Sequence, residues 1–205
     1  MDEKQMLELL GGNRSYRRFG SRRVTPREMR TLVEAARLSP SAGNMQSLRF
    51  LPITDEAMCA AVFPCLGWAG YLKDWDGAVA HERPTGYILF LCPSDVARSW
   101  TVAANCGIAV QSMLLTARSM GLGGCILRNV RRDMLAEVLG EVGAPYEVAL
   151  VLALGEPIEQ VRLIPIHDGD VRYFRDAQGI HYVPKRSVEE LTVVFPGAMP
   201  DSGET

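Results

Sequence analysis

Two runs in this chain, Tyr87-Ile88-Leu89-Phe90-Leu91 and Val148-Ala149-Leu150-Val151-Leu152-Ala153-Leu154, are apolar at every position. A strand with one wet face alternates apolar with polar. A short run without alternation reads as a strand covered on both faces. Between the two, residues 101–120 include Val102, Ile108, Ala109, Met113, Leu114 and Ala117 among much other apolar content. That predicts a long helix buried nearly all round, ended by Gly121. At 205 residues the chain has length for one domain, 1–205, with a substantial core.

The remaining elements are read from their caps and punctuation. Residues 2–10 predict a short helix stopped by Gly11-Gly12. Thr25, Pro26 and Glu28 form an N-cap, a first-position proline and a capping box. Met29, Leu32, Val33 and Ala36 then share one helical face, and Pro40 ends the helix near Leu38. Residues 49–54 predict a strand, 55–62 a short helix, and 63–84 an irregular excursion, a lid or a dimer contact. A strand at 125–127, a helix at 132–139 closed by Gly140, and a strand at 147–154 ended by Gly155 follow. Residues 172–183 predict a hairpin around Asp176-Ala177-Gln178-Gly179, and Ser187 to Glu190 cap a last turn of helix. Residues 197–205 read as a frayed tail. Strands and helices alternate loosely, so the class is α+β or a mixed three-layer α/β/α sandwich.

Charge and cysteine content exclude several functions. The net charge of −2 gives no bulk attraction to nucleic acid or anionic membrane. The five cysteines form no C-x-x-C pair, which suggests reduced thiols in the cytosol and no zinc site. The polar, acidic start is not that of a secretory signal. His81, His167 and His181 are scattered and outline neither a metal set nor a triad. No G-x-G-x-x-G fingerprint follows a strand, so stable dinucleotide binding on a Rossmann unit is not expected.

Four segments carry chemistry. Residues 14–30 hold seven arginines against one acid, Glu28. Within them Arg14, Ser15, Arg17 and Arg18 offer guanidinium forks and a hydroxyl to a phosphate, or simply a solvated basic face. Pro40-Ser41-Ala42-Gly43-Asn44-Met45-Gln46 combines small residues with amides that both donate and accept, and it also reads as an ordinary turn. Gly121-Leu122-Gly123-Gly124-Cys125-Ile126-Leu127-Arg128-Asn129 opens on a glycine turn, and Pro184-Lys185-Arg186-Ser187 adds two cations.

In this order the four segments resemble the nitroreductase family. The stretch Arg14-Ser15-Tyr16-Arg17-Arg18-Phe19 is similar to the family's R-R-S-x-R-x-F, with Asn13 in place of the first arginine. Residues 40–50 are similar to P-S-A-G-N-x-Q-P-W-R-F, with Ser47-Leu48 in place of Pro-Trp. Gly121 to Cys125 resembles G-L-G-[TS]-C. The resemblance implies an intertwined homodimer of three-layer α/β/α sandwiches with a mixed, mainly antiparallel sheet. It also implies FMN at the subunit interface. Arg14, Ser15, Lys185 and Arg186 would then meet the phosphate, with Arg17 at the pyrimidine edge of the ring. Pro40, Ser41, Asn44 and Gln46 would come from the partner subunit. Leu127, Arg128 and Asn129 would lie along the ring, with the backbone N–H of Arg128 or Asn129 at its N5.

The implied activity is cytoplasmic NAD(P)H-dependent, ping-pong reduction of nitroaromatics, quinones or related acceptors. No side chain is catalytic. Trp68 and Tyr71 either line the face over the flavin as substrate contacts or pack in the core or dimer interface. The alternatives are a specialised flavin enzyme of the same fold, dehalogenase-like or flavin-consuming, and a non-catalytic protein whose basic segment binds an anionic partner.

Overall fold

The computed structural model describes residues 1–97 and 99–195. The tail expected at 197–205 lies outside the described residues. The chain forms two compact units, Met1–Glu159 and Gln160–Thr205.

The first unit is built on four strands: β1 (Arg49–Ile53), β2 (Gly86–Cys92), β3 (Gly123–Leu127) and β4 (Glu147–Gly155). They form an antiparallel sheet in the order β1-β2-β4-β3. Every residue of β2 is buried, as its unbroken apolar run requires. The helices are α1 (Glu3–Gly12), α2 (Pro26–Arg37), α3 (Glu56–Val62), α4 (Trp100–Ser119) and α5 (Arg132–Leu139).

The pleat sorts side chains onto two faces. Ile88, Phe90, Leu152 and Leu154 pack with Met29 and Leu32 of α2 and Val102, Val110 and Met113 of α4. Tyr87, Leu89, Val151 and Ala153 face the other way, onto Cys59 and Val62 of α3 and Leu135 and Leu139 of α5. The unit is therefore α/β/α in three layers, and the class is α+β.

Thr25 and Glu28 form the predicted capping box, and Leu38 ends α2. Two expectations are corrected. First, α1 does not stop before Gly11-Gly12 but runs through them to an Asn13 C-cap. Arg14 Nη2 donates to Leu10 O at 2.9 Å and Tyr16 Oη to Gly12 O at 2.9 Å, so the last carbonyls are satisfied with the glycines still helical.

Second, α4 is buried on one side only. Ala103, Gly107, Ile108 and Gln111 are exposed, and Trp100 at its start is 82% exposed. Among the described residues α4 is also the one helix long and apolar enough to cross a bilayer, though its apolar face is spent on the core.

The second unit contains β5 (Val161–Pro165), β6 (Phe174–Arg175), β7 (His181–Lys185) and α6 (Val188–Leu191). The expected hairpin is β6 and β7, turning through Gly179 at φ 80°, with the rings of Phe174 and Tyr182 stacked at 5.2 Å. Ser187 and Glu190 form the α6 capping box. The parallel pairing of β5 with β7 was not foreseen from sequence.

Candidate functional site

The basic segment is held from both sides by main chain. Ser15 forms a parallel bridge with Gly124, and the Tyr16 N–H donates to Gly124 O at 3.0 Å. On the other side Gly20 N–H donates to Glu156 O at 2.8 Å and Ile158 N–H to Arg18 O at 3.2 Å. Phe19 is wholly buried, against a glycine at 155 where a Cβ would lie 2.8 Å from its ring. A Cβ on Gly123 would come within 2.5 Å of the Tyr16 ring. The glycines of β3 and β4 thus admit the aromatic side chains that seat the segment.

Its arginines are used differently. Arg18 makes two hydrogen bonds of 2.6 Å to Glu82 and is held in the fold by that ion pair. Arg14 spends one donor on Leu10, while its buried Nε has no hydrogen-bond partner. Ser15 is exposed beside it.

Arg17 is only 8% exposed. Its Nη1 donates to Ser15 O at 3.2 Å, and its backbone N–H donates to a carboxylate oxygen of Glu159, itself 7% exposed. The Arg17 guanidinium also faces Cys125. Burial pushes that thiol up to about 11, against the pull of the guanidinium.

The third expected segment therefore adjoins the first. Leu127 is buried at the end of β3, and Arg128 and Asn129 emerge exposed beyond it. Asn129 O accepts from Gly67 N–H at 2.8 Å, and Arg131 N–H donates to Cys65 O at 2.8 Å. Residues 65–67 of the excursion are thus paired to the strand exit. Arg128 borders a cavity of about 460 Å³ that runs along α4, with Val102, Cys106, Ile126, Arg132 and Glu147.

The second segment is seated on α4. Ala42 N–H donates to Asn105 Oδ1 at 3.0 Å, and Ser39 and Ser112 share a hydroxyl hydrogen bond of 2.7 Å. Gly43, Asn44 and Gln46 all have positive φ, at 57°, 52° and 47°. Pro40, Ser41 and Gln46 border a smaller cavity of about 210 Å³, and the Asn44 and Gln46 amides project into solvent, hydrogen-bonded to each other at 3.2 Å.

Lys185 ends β7 in the second unit, and Arg186 pairs with Glu190 at 3.3 Å. Of the two readings of Trp68, core packing is the one observed: it is 8% exposed and stacked on Phe63 at 5.4 Å, not set on an open face as a substrate contact. Tyr71 is 51% exposed.

Sequence reading missed Glu159, Glu82, Asn105 and the Gly67–Asn129 pairing. A buried carboxylate carries no local signature, but the small Gly67 has one physical reason: a Cβ there would lie 2.0 Å from Asn129 Nδ2.

Residues 11–156, which contain three of the four segments, match the nitroreductase family. The chain belongs to that family. It is 27% identical over 169 residues to the oxygen-insensitive NADPH nitroreductase of Salmonella typhimurium, covering 78% of this chain and 68% of the relative. It is 25% identical over 217 residues to the NADPH-flavin oxidoreductase of Vibrio harveyi, covering 91% and 86%. The solved FMN-dependent nitroreductase of Clostridium difficile superposes with a TM-score of 0.61 at 20% identity, covering 76% of this chain and 89% of that one. That likeness extends to the fold alone.

The donor set fits a flavin mononucleotide. The Arg14 Nε, buried and without a hydrogen-bond partner, the exposed Ser15 beside it, and the exposed residues Arg128 and Asn129 beyond β3 are the donors such a group calls for.

Proposed function

We propose that this chain is an FMN-dependent NAD(P)H oxidoreductase that reduces nitroaromatic, quinone or related acceptors. The observation that carries this reading is the Ser15–Gly124 bridge, which holds the basic segment beside β3, the strand that leads out to Arg128 and Asn129. A bound flavin would supply the hydride chemistry between NAD(P)H and the acceptor.

The chain's own residues bind and orient. Arg14 and Ser15 would hold the phosphate; Lys185 and Arg186, the cations expected from sequence, lie in the second unit. The Arg17 guanidinium would lend positive charge to the polar edge of the flavin and favour its anionic reduced form. The backbone N–H of Arg128 or Asn129 would be the donor to the flavin at the exit of β3, and Leu127 would contribute an apolar contact to it.

Pro40, Ser41, Asn44 and Gln46 serve the site of the second subunit in a homodimer. Their outward amides and the exposed face of α4 support that arrangement. Tyr71 stays a candidate acceptor contact, since it is exposed on the excursion. The five free, buried thiols suit a reducing, cytoplasmic setting.

The test is the visible spectrum of the purified protein before and after anaerobic NAD(P)H. The expected result is a yellow protein whose flavin bands bleach. A colourless protein that does not take up added FMN overturns the reading. The anion-partner alternative would then lead, with Asn13 in place of the family arginine as its cause.

A further inference from the structure

One buried acid is left without a task in that account. Glu159 lies 142 residues from Arg17 in sequence, yet its carboxylate accepts the Arg17 backbone N–H. The main-chain pairing explains why a side chain is needed there. Residues 156–158 run beside 18–20 and exchange main-chain hydrogen bonds with them, Gly20 with Glu156 and Ile158 with Arg18. One step further, the bond to the Arg17 amide comes from the Glu159 side chain.

Any acceptor could satisfy that amide. A buried carboxylate is costly to desolvate and persists where cations compensate it. Arg18 already has both oxygens of Glu82 at 2.6 Å. Glu159, Arg17 and Cys125 are all buried, and the charges of Glu159 and Arg17 both act on the Cys125 thiol, which follows Gly124 of the Ser15–Gly124 bridge.

We propose that Glu159 is a positioning residue: it fixes Arg17, and through Arg17 the Arg14–Ser15 donors, in the geometry that takes the flavin. This role rests on the flavin reading above.

The experiment compares wild type, Glu159→Ala and Glu159→Gln. FMN affinity of the apoprotein is measured by fluorescence quenching, and exchange of the Arg17 amide is followed without FMN. Glu159→Ala is expected to raise the FMN Kd at least about tenfold, the scale of a lost charge-assisted hydrogen bond. It is also expected to speed exchange at Arg17 while the amides of β2 and β4 stay protected. Glu159→Gln keeps an acceptor of the same length and is expected to restore slow exchange and bring the Kd to within about threefold of wild type. A merely structural acid would slow or speed the core amides together with Arg17 and would show no rescue of FMN affinity.

If Glu159→Ala does not fold, Glu159→Asp replaces it. There the charge stays but the acceptor is withdrawn by one methylene, and the same weakening is expected. Wild-type FMN affinity in either folded variant overturns the role while the flavin reading stands. A wild-type protein that takes up no FMN overturns the flavin reading and this role with it.

Discussion

The basic segment at residues 14–20 and the loop at 40–46 both supply polar groups, but they are held in opposite ways. The segment is pinned by main-chain bonds to Gly124, Glu156 and Ile158, with Tyr16, Arg17 and Phe19 buried. The loop rests on α4 through Asn105 and Ser112, with three residues in the left-handed region and Met45 67% exposed. Left-handed geometry at a non-glycine residue costs on the order of 1–3 kcal/mol and persists where surroundings enforce it. The first region is buried within its own chain, while the second presents exposed amides at Asn44 and Gln46. The difference supports a site made half from each of two copies.

The comparison breaks most visibly at its pinned side. Phe19→Ala empties a fully buried ring site and is expected to cost about 4 kcal/mol of stability, read by urea denaturation. A loss under about 1 kcal/mol would mean that the segment is not held by its aromatic anchor. Next, Arg17→Ala removes a buried guanidinium that contacts Ser15 and faces Cys125. FMN affinity is expected to fall about thirtyfold and reduction by NAD(P)H to slow in stopped flow. Retained FMN with normal turnover would remove Arg17 from the site.

The loop side sharpens the contrast. Asn44→Ala deletes an outward amide at φ 52° and is expected to lower FMN affinity about tenfold, with little change in the unfolding of the core. Asn44→Gly relaxes the backbone yet still lacks the amide, so it should bind FMN as poorly as the alanine variant. If glycine restores binding, the loop matters for its shape and not for its donor. A fully active monomer by light scattering would sink the shared-site arrangement altogether.

Legibility in the sequence follows the same division. The central strands were readable because short unbroken apolar runs bounded by turn residues read as covered strands, and α4 because of its length and apolar content. α2 was readable because Thr25, Pro26 and Glu28 are local signals. Half of α4 was misread, since apolar composition does not distinguish a face covered by the same chain from one left exposed, as at Trp100 and Ile108.

The parallel strand β5 was missed because its partner β7 comes after an intervening turn and strand β6. Parallel pairing leaves no turn signature between neighbours. At the site, the segments were legible as donors. Their supports were not, because Glu82 and Glu159 act across 64 and 142 residues. Trp68 lacked any periodic context, and only packing on Phe63 assigns it to the core.

The smallest expected effect concerns α2, which leads from the pinned segment to the exposed loop and should serve neither as donor. Thr25→Ala removes the N-cap hydrogen bond to Glu28 N–H and is expected to cost about 1 kcal/mol with FMN affinity unchanged. The capping box also predicts a pH dependence. Burial of the Glu28 carboxyl opposes its ionisation, but hydrogen bonds from Thr25 and the Arg22 guanidinium outweigh it and hold the carboxyl below its ordinary value of 4.5. A depressed acid stabilises the fold in full above the unfolded value, and that share is lost as pH falls through the folded one. Thr25→Ala should therefore cost less at pH 3 than at pH 7 in paired urea titrations. A cost that is equal at both pH values would show that Glu28 does not act through the cap, and a fall in FMN affinity would show that α2 transmits strain to one of the two regions it joins.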